Sequence, residues 1–203
     1  MVAYLNLSGG VDSVYYAWRW LKENPTKKIL LHHCLYMTAR IKEEKVACDK
    51  VIEYFKKQGY HNFKYVETFF QKGTVTGIVY DVEALSGITG IILKLYPRIT
   101  DVLLSYSKEE TAELDTYIKN YGKIDGFNPK HRYSIANHVV ETLTKRKFNY
   151  VFYKEDKGVI SKKKMIEEMP QELFEMTWYC RSPVKGKPCG SCHTCRKVKK
   201  ATQ

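Results

Sequence analysis

The residues best suited to do chemistry lie near the two ends of the chain. Near the amino terminus runs Ser8-Gly9-Gly10-Val11-Asp12-Ser13, and near the carboxyl terminus stand Cys180, Cys189, Cys192 and Cys195. Two adjacent glycines let a backbone approach a phosphate closely, because no Cβ stands in the way. Four thiolates spaced C-x₈-C-x₂-C-x₂-C suit a closed tetrahedral Zn²⁺ site. The sequence therefore predicts an anion-binding loop and a metal site.

The elements on either side of the loop favour phosphate binding. An apolar run, residues 2–7, has the length of one buried strand, and a helical face follows the loop, marked by Val14, Ala17, Trp18 and Leu21. Such a helix directs free N–H groups and the positive end of its dipole towards an anion. The hydroxyls of Ser8 and Ser13 can add donors, and Asp12 can cap the helix or help to hold Mg²⁺. The loop is not G-x-x-x-x-G-K-[ST], so an NTPase that cleaves the γ-phosphate is not expected.

The rest of the chain alternates strand and helix patterns. Strands are predicted at residues 2–7, 29–36, 63–68, 101–105 and 150–153. Helices are predicted at residues 43–58, after a cap at Ser86 and after a cap at Ser161. The helix capped by Ser86 carries Ile88, Ile91, Ile92 and Leu95. Near-continuous apolarity in the strands is typical of a parallel sheet covered on both faces. We expect an α/β fold with a doubly wound, mostly parallel five-stranded sheet, a domain over residues 1–169 and a C-terminal zinc-binding extension over residues 170–203.

The composition of the chain indicates its partners and its cellular compartment. The 203 residues carry a formal charge of +12, which favours anionic partners from ATP up to nucleic acid. No long apolar run or signal-like segment is present, so we expect a cytoplasmic protein without a membrane partner. In that compartment six cysteines point to metal or redox chemistry rather than to structural disulfides.

The cysteine cluster leaves alternatives open. An iron–sulfur cluster or a redox-active pair would use the same thiols, and His193 could replace one ligand of a zinc site. Cys34 and Cys48 fall in a predicted strand and a predicted helix, where we expect ordinary core or boundary residues. We interpret the cluster as one structural zinc site.

Taken together, the two motifs resemble a known family. The N-terminal S-G-G-V-D-S is similar to the pyrophosphate-binding loop of the ATP pyrophosphatase (PP-loop) superfamily. Joined to the C-terminal cysteines, it resembles the 7-cyano-7-deazaguanine synthase (QueC) family over nearly the whole chain. Softer similarities are Glu44 with Ala47, Lys162 in a short pre-helix motif, and Thr177-Trp178-Tyr179-Cys180 before the zinc loop.

The resemblance implies a fold, an activity and a set of site residues. The fold would be like that of the adenine nucleotide alpha hydrolases, with ATP and Mg²⁺ as cofactors and a homodimer as a common assembly. The activity would be adenylation of 7-carboxy-7-deazaguanine by ATP, followed by attack of ammonia to give the amide and then the nitrile. Asp12, Ser13 and Lys162 would be catalytic, and ATP would be bound by Leu7, Ser8, Gly9, Gly10, Val11, Asp12 and Ser13.

Three segments depart from the family pattern. The family has Y-G-Q-x-H after strand two, whereas here Tyr36 is followed by residues 37–40. Residues 85–88 replace P-x-R-N, and Glu109 or Glu110 stands where the family has an aspartate a few residues after strand four. Because these segments face the substrate in the family, other targets stay open. A tRNA-thiolating enzyme would use Cys34, a related ligase would act on a protein terminus, and a zinc module would bind nucleic acid without turnover.

Overall fold

The sheet is parallel throughout and has the order β3-β2-β1-β4-β5. The computed structural model describes residues 1–36, 40–70, 81–109, 129–155 and 158–203. Strand order reverses between β1 and β4, which is the point where doubly wound folds bind ligands. The strands are β1 (Ala3–Asn6), β2 (Ile29–Tyr36), β3 (Phe63–Phe70), β4 (Asp101–Leu103) and β5 (Asn149–Val151).

Helices cover both faces of the sheet. Alternate residues of β1 enter separate cores, since Ala3 and Leu5 pack with α1 and α2 whereas Tyr4 packs with α3 and α4. This two-sided burial explains the continuous apolarity of the strands. The predicted α/β fold is confirmed. The helices are α1 (Val11–Glu23), α2 (Ile41–Lys57), α3 (Asp81–Leu95) and α4 (Pro129–Thr144).

The predicted start of α3 is wrong. The helix begins at Asp81, so Ser86 lies inside it rather than capping it. Its buried residues include Ser86, Thr89 and Leu93, whereas Ile91 and Leu95 are exposed. The polar Thr89 is buried because its hydroxyl bonds to the hydroxyl of Tyr4 at 3.0 Å. Ile88 and Ile92 do pack into the core, so the hydrophobic pattern located the helix but not its first residue.

The C-terminal part is built from short elements. After β5 come a two-stranded hairpin, β6 (Lys154–Glu155) and β7 (Gly158–Val159), then α5 (Lys162–Glu168), α6 (Gln171–Glu175) and α7 (His193–Ala201). Helix α5 packs against both α1 and α7 and so joins the sheet layer to the end of the chain. The hydroxyl of Ser161 accepts a hydrogen bond from the Lys164 N–H at 3.3 Å, which confirms the predicted cap.

Two sequence predictions concern the segment between β4 and α4. The helix-like stretch that begins at Ser107 and runs to about Asn120 falls largely outside the described residues, and the loop that holds Asp125 does so entirely. Among the described helices, none is long and apolar enough to cross a lipid bilayer.

Candidate active site and metal centre

The N-terminal loop crosses from β1 to α1 at the carboxyl edge of the sheet. Gly9 has φ +74°, a left-handed conformation that favours glycine. A Cβ at this position would lie 3.1 Å from both the Cβ of Ala47 and the carbonyl oxygen of Glu44. Gly9 is therefore needed twice, for its backbone conformation and for the close approach of α2.

Two serine hydroxyls hold the loop in shape. The Ser13 hydroxyl donates to the Gly10 carbonyl at 3.1 Å and accepts the Ser8 N–H at 3.1 Å. The Ser8 hydroxyl lies 3.1 Å from the Ser13 hydroxyl, which has already donated its proton, so Ser8 is the donor of that pair. Both hydroxyls and the N–H groups of Ser8 and Gly10 are thus engaged within the loop, and the N–H groups of the first turn of α1 are left for a ligand.

Helix α1 begins with Gly10 as its N-cap residue. Gly10 is extended, with φ −76° and ψ 159°, and no side chain caps the helix. The N–H groups of the first turn of a helix have no intrahelical partner, and here they lie beside a positive dipole end. The loop–helix junction therefore has the donors and the potential that bind a phosphate group.

Lys162 brings a cation to the same place from the far end of the chain. Its ammonium donates to both carboxylate oxygens of Asp12, at 2.6 Å each, and its side chain is only 7% exposed. The backbone N–H of Lys162 donates to the Glu109 carboxylate at 3.0 and 3.2 Å. Glu109 therefore stabilises the start of α5 and positions Lys162.

A cavity of about 400 Å³ opens beside the loop, at the carboxyl ends of the strands. This volume falls within the range of about 300–1,000 Å³ that is usual for ligand sites. The loop forms one wall, and the residues that line the other walls include Cys34, Arg40, Glu44, Asn137, Lys162, Trp178, Tyr179, Arg181, Thr194 and Lys197.

Two titratable residues of β2 are shaped by burial. Burial lowers the pKa of His32 to about 4, and the neighbouring His33 adds to the shift, so His32 is neutral at physiological pH. It bridges the hydroxyls of Tyr4 and Thr68 at 2.7 and 2.8 Å, which is a structural role. Burial also raises the pKa of the Cys34 thiol, although its hydrogen bond with Thr68 acts in the opposite direction. Cys34 is therefore a protonated thiol near neutral pH.

The four C-terminal cysteines form a Cys₄ metal site. Their sulfur atoms all lie within 4.8 Å of one another. A tetrahedral ion with metal–sulfur bonds of about 2.3 Å needs sulfur atoms about 3.8 Å apart, and the sulfurs of Cys189 and Cys195 are 4.0 Å apart. The donor set and its geometry therefore fit a tetrahedral metal ion.

Backbone N–H groups donate hydrogen bonds to two of these sulfurs. The Cys189 N–H donates to the Cys180 sulfur, and the Cys192 N–H donates to the Cys189 sulfur, each at 3.2 Å. Hydrogen bonds from the backbone of Cys192 and Ser191 lower the pKa of the Cys189 thiol. Since metals bind thiolates, these bonds favour the coordinating form of the ligands.

The metal site and the loop are in direct contact. The Trp178 N–H donates to the Gly9 carbonyl oxygen at 2.8 Å, and the Trp178 indole N–H donates to the Cys180 carbonyl at 2.9 Å. One residue thus bonds to the glycine of the loop and to the first cysteine of the cluster. The structure brings together the loop, Lys162 and the cysteine segment around one cavity.

Sequence reasoning missed several residues of this site. Arg40 lies next to Glu44, with the guanidinium Nε 2.5 Å from the carboxylate, and both line the cavity. Arg181, Thr194 and Lys197 reach the cavity from the cysteine segment. The sequence pattern gave no reason to select them, because no known spacing relates Arg181, next to Cys180, to the loop of residues 8–13. The predicted metal ligands themselves are brought together as expected.

Comparison with known proteins gives a structural likeness only. No protein-family model matches the sequence, and no curated protein matches it closely enough to count as a relative. Among solved structures, the chain is similar to the U34-tRNA thiolase NcsA from Methanococcus maripaludis with its [4Fe-4S] cluster. The likeness covers 98% of this chain and 80% of that chain, with a TM-score of 0.47 and 10% sequence identity. Values this low assign no activity to the chain.

Proposed function

We propose that the chain is an ATP-dependent adenylating enzyme that releases pyrophosphate. One observation carries the proposal: the uncapped start of α1 and the buried ammonium of Lys162 meet at one wall of the cavity. Backbone N–H groups, a helix dipole and one ammonium are the elements that bind a polyphosphate. The sequence resemblance to the PP-loop superfamily adds the expectation that the bond cleaved lies between the α- and β-phosphates.

Lys162 has to change partners for this chemistry. Its ammonium is held by the Asp12 carboxylate, and a polyphosphate at the start of α1 would compete for it. When the ammonium moves to the phosphates, Asp12 becomes available as a ligand for Mg²⁺. Lys162 then stabilises negative charge on the departing pyrophosphate, which is electrostatic catalysis by a positioned group.

The acceptor we propose first is a carboxylate, 7-carboxy-7-deazaguanine, on the basis of the sequence resemblance. A carboxylate oxygen attacks the α-phosphorus, the bond to the bridging oxygen of the β-phosphate breaks, and pyrophosphate leaves with the electron pair. Ammonia then attacks the carbonyl carbon of the acyl adenylate, loses a proton and expels AMP to give the amide. The amide oxygen then attacks the α-phosphorus of a second ATP and pyrophosphate leaves. Loss of the two N–H protons and departure of AMP, which carries the amide oxygen away, give the nitrile.

We propose zinc as the ion at the Cys₄ site. Four thiolates with C-x₈-C-x₂-C-x₂-C spacing complete a tetrahedral shell, so the ion would have no open position and would supply no Lewis-acid chemistry. Its role would be to fix Trp178 and Arg181, which belong to the cavity wall. Elemental analysis of the purified protein should find one zinc per chain and no iron. Its visible absorption spectrum should lack the charge-transfer bands of an iron–sulfur cluster.

A second candidate function is thiolation of tRNA by the same adenylation chemistry. The observation that favours it is the Cys34 thiol in the cavity wall. The raised pKa of this thiol opposes a role as nucleophile, because the thiolate is the reactive form. A Cys34→Ala variant separates the two functions, since it should abolish thiolation and leave amide formation intact.

The deciding experiment measures pyrophosphate release from ATP, with and without 7-carboxy-7-deazaguanine and ammonium. Three proteins are compared: the wild type, Lys162→Ala, and the matched control Lys163→Ala, whose side chain is exposed. We expect acceptor-dependent release, a fall of about 10²–10³-fold in Lys162→Ala, and little change in Lys163→Ala. Mass spectrometry should detect the amide or nitrile.

Each other outcome has a clear meaning. Release without consumption of the deazaguanine would retain adenylation and redirect the search to another carboxylate, such as a protein terminus, or to tRNA. Equal loss in both lysine variants would contradict the role given to Lys162. No release with any acceptor would overturn the proposed activity.

A further inference from the structure

Every charged side chain of the last part of the sequence, residues 176–203, is a lysine or an arginine. Residues 176–203 contain seven lysines and arginines and no aspartate or glutamate, although the whole chain has twenty-two acidic residues. These seven residues supply much of the formal charge of +12. We call them the basic face: Arg181, Lys185, Lys187, Arg196, Lys197, Lys199 and Lys200.

The basic face is exposed and held in place. Six of its residues are exposed, and Lys197 is half-buried where it lines the cavity. Within the described part of the chain, no ion pair joins any of the six to a carboxylate. Helix α7 turns Cys195 and Val198 inward and keeps Arg196, Lys199 and Lys200 on its outer side. Contact of α7 with α5 and the burial of Cys195 and Val198 hold this helix in place, so its charges form a positioned surface rather than a loose tail.

The basic face leads into the cavity. Arg181 and Lys197 belong to both, and next to them the aromatic residues Trp178 and Tyr179 line the same cavity. Cationic grooves beside aromatic side chains bind single-stranded nucleic acid, because the cations track the phosphates while the rings stack on bases. The arrangement offers both parts of such a site.

The chemistry of the face favours nucleic acid over a membrane surface. A helix that binds the lipid interface needs an apolar face turned outward, whereas the apolar residues of α7 are buried. Val184 is the one large apolar side chain exposed within the described residues 176–203. A lone valine buries too little area to anchor a protein to a lipid surface.

We propose that the basic face binds the phosphodiester backbone of a nucleic acid and that one base of the bound strand enters the cavity. The surface itself does not depend on the adenylation chemistry, whereas the identity of that base as the group to be modified rests on the proposed function. The acceptor is then a base within a strand instead of free 7-carboxy-7-deazaguanine, which corresponds to the nucleic-acid outcome of the pyrophosphate experiment. DNA and RNA share the backbone chemistry and are separate arms of the test.

The test measures the binding of fluorescent single-stranded RNA, single-stranded DNA and duplex DNA, without ATP, over a range of salt concentrations. The variant Arg196→Glu/Lys199→Glu/Lys200→Glu reverses three charges of the basic face. The matched control, Lys27→Glu/Lys56→Glu/Lys57→Glu, makes the same change in net charge with exposed lysines near the opposite, amino-terminal edge of the sheet. Zinc content of each protein shows that the C-terminal segment is still folded.

We expect the basic-face variant to bind single strands at least tenfold more weakly. The slope of log affinity against log salt should fall by about two for three lost phosphate contacts, at about 0.7 per phosphate on a single strand. The control should keep most of the affinity and the slope. A strand with one photoreactive base should cross-link to the peptide that contains Trp178 and Tyr179.

Several outcomes would overturn this inference. They are undetectable binding to every strand, an equal loss of affinity in the control, and cross-links far from the cavity. Binding to phosphatidylserine vesicles in place of nucleic acid, with the same dependence on the three residues, would replace it with a membrane role. Pyrophosphate release measured with a small carboxylate in the basic-face variant distinguishes failure of this surface from failure of the adenylating site.

Discussion

The two ends of this chain build their sites by different physical means. The N-terminal loop is shaped by backbone: a left-handed Gly9, two serine bonds, and a strand and helix packed in the main core. The Cys₄ segment contributes few residues to that core, and its shape depends on sulfurs that approach one another closely. Thiolates at such distances repel each other without a cation. The loop should therefore be robust without a ligand, whereas the cysteine segment needs its ion.

The largest effect is expected from loss of one metal ligand. Cys192→Ala should release the metal and unfold residues 180–201 while the sheet stays folded, since binding by structural zinc contributes about 10–16 kcal/mol in small zinc domains. Hydrogen exchange resolved by peptide should show full exposure of the segment and protection of β1 and β2. Ser191→Ala is the neighbouring control and should retain the metal. Simultaneous unfolding of sheet and segment would show that the two regions are not distinct.

A pair of glycine variants sharpens the account of the loop. Gly9 and Gly59 have almost the same φ, +74° and +79°, but a Cβ at Gly59 meets nothing within 4 Å. Gly59→Ala should lower the free energy of unfolding by about 1–2 kcal/mol through left-handed strain alone. Gly9→Ala should cost a further 1–3 kcal/mol or so from crowding against α2, and should weaken ATP binding. Equal costs in urea denaturation would contradict the packing argument.

Acid should weaken the sheet through His32. The pKa of His32 is about 4 in the folded protein against 6.5 as its ordinary value, so as pH falls the unfolded state takes up a proton first. This contribution to stability is complete above pH 6.5 and is lost towards pH 4, at most about 3 kcal/mol. His32→Gln should be less stable at pH 7 but should lose less stability between these two pH values. Parallel curves from urea titrations would contradict this.

The smallest effect concerns the contact between the two regions. Trp178→Phe removes the indole N–H that donates to the Cys180 carbonyl and should cost about 1 kcal/mol. The cost should vanish in a Cys192→Ala background, because the segment is then already unfolded. A double-mutant cycle on thermal stability measures this coupling. Additive effects would indicate that Trp178 acts only on the core.

The sequence predicted what depends on local pattern. Strand–loop–helix at the amino terminus, five strands, the Ser161 cap and the Cys₄ spacing each follow from residues close together in the chain. Tertiary choices could not be predicted: Thr89 is buried through its bond to Tyr4, and Lys162 meets Asp12 across 150 positions. The convergence of Arg181 and Lys197 on the cavity also required the fold, because only packing decides which exposed cation lies beside which loop.

The bond from the Trp178 N–H to the Gly9 carbonyl oxygen sets the order in which the parts of the site can assemble during translation. The ribosome synthesises the loop of residues 8–13 well before Trp178, whose N–H bonds to it. A nascent chain can form β1 and α1 early, yet it lacks Lys162 and Trp178 until those residues have emerged. The site that we propose for ATP is therefore complete only when Lys162 and Trp178 have folded against the loop.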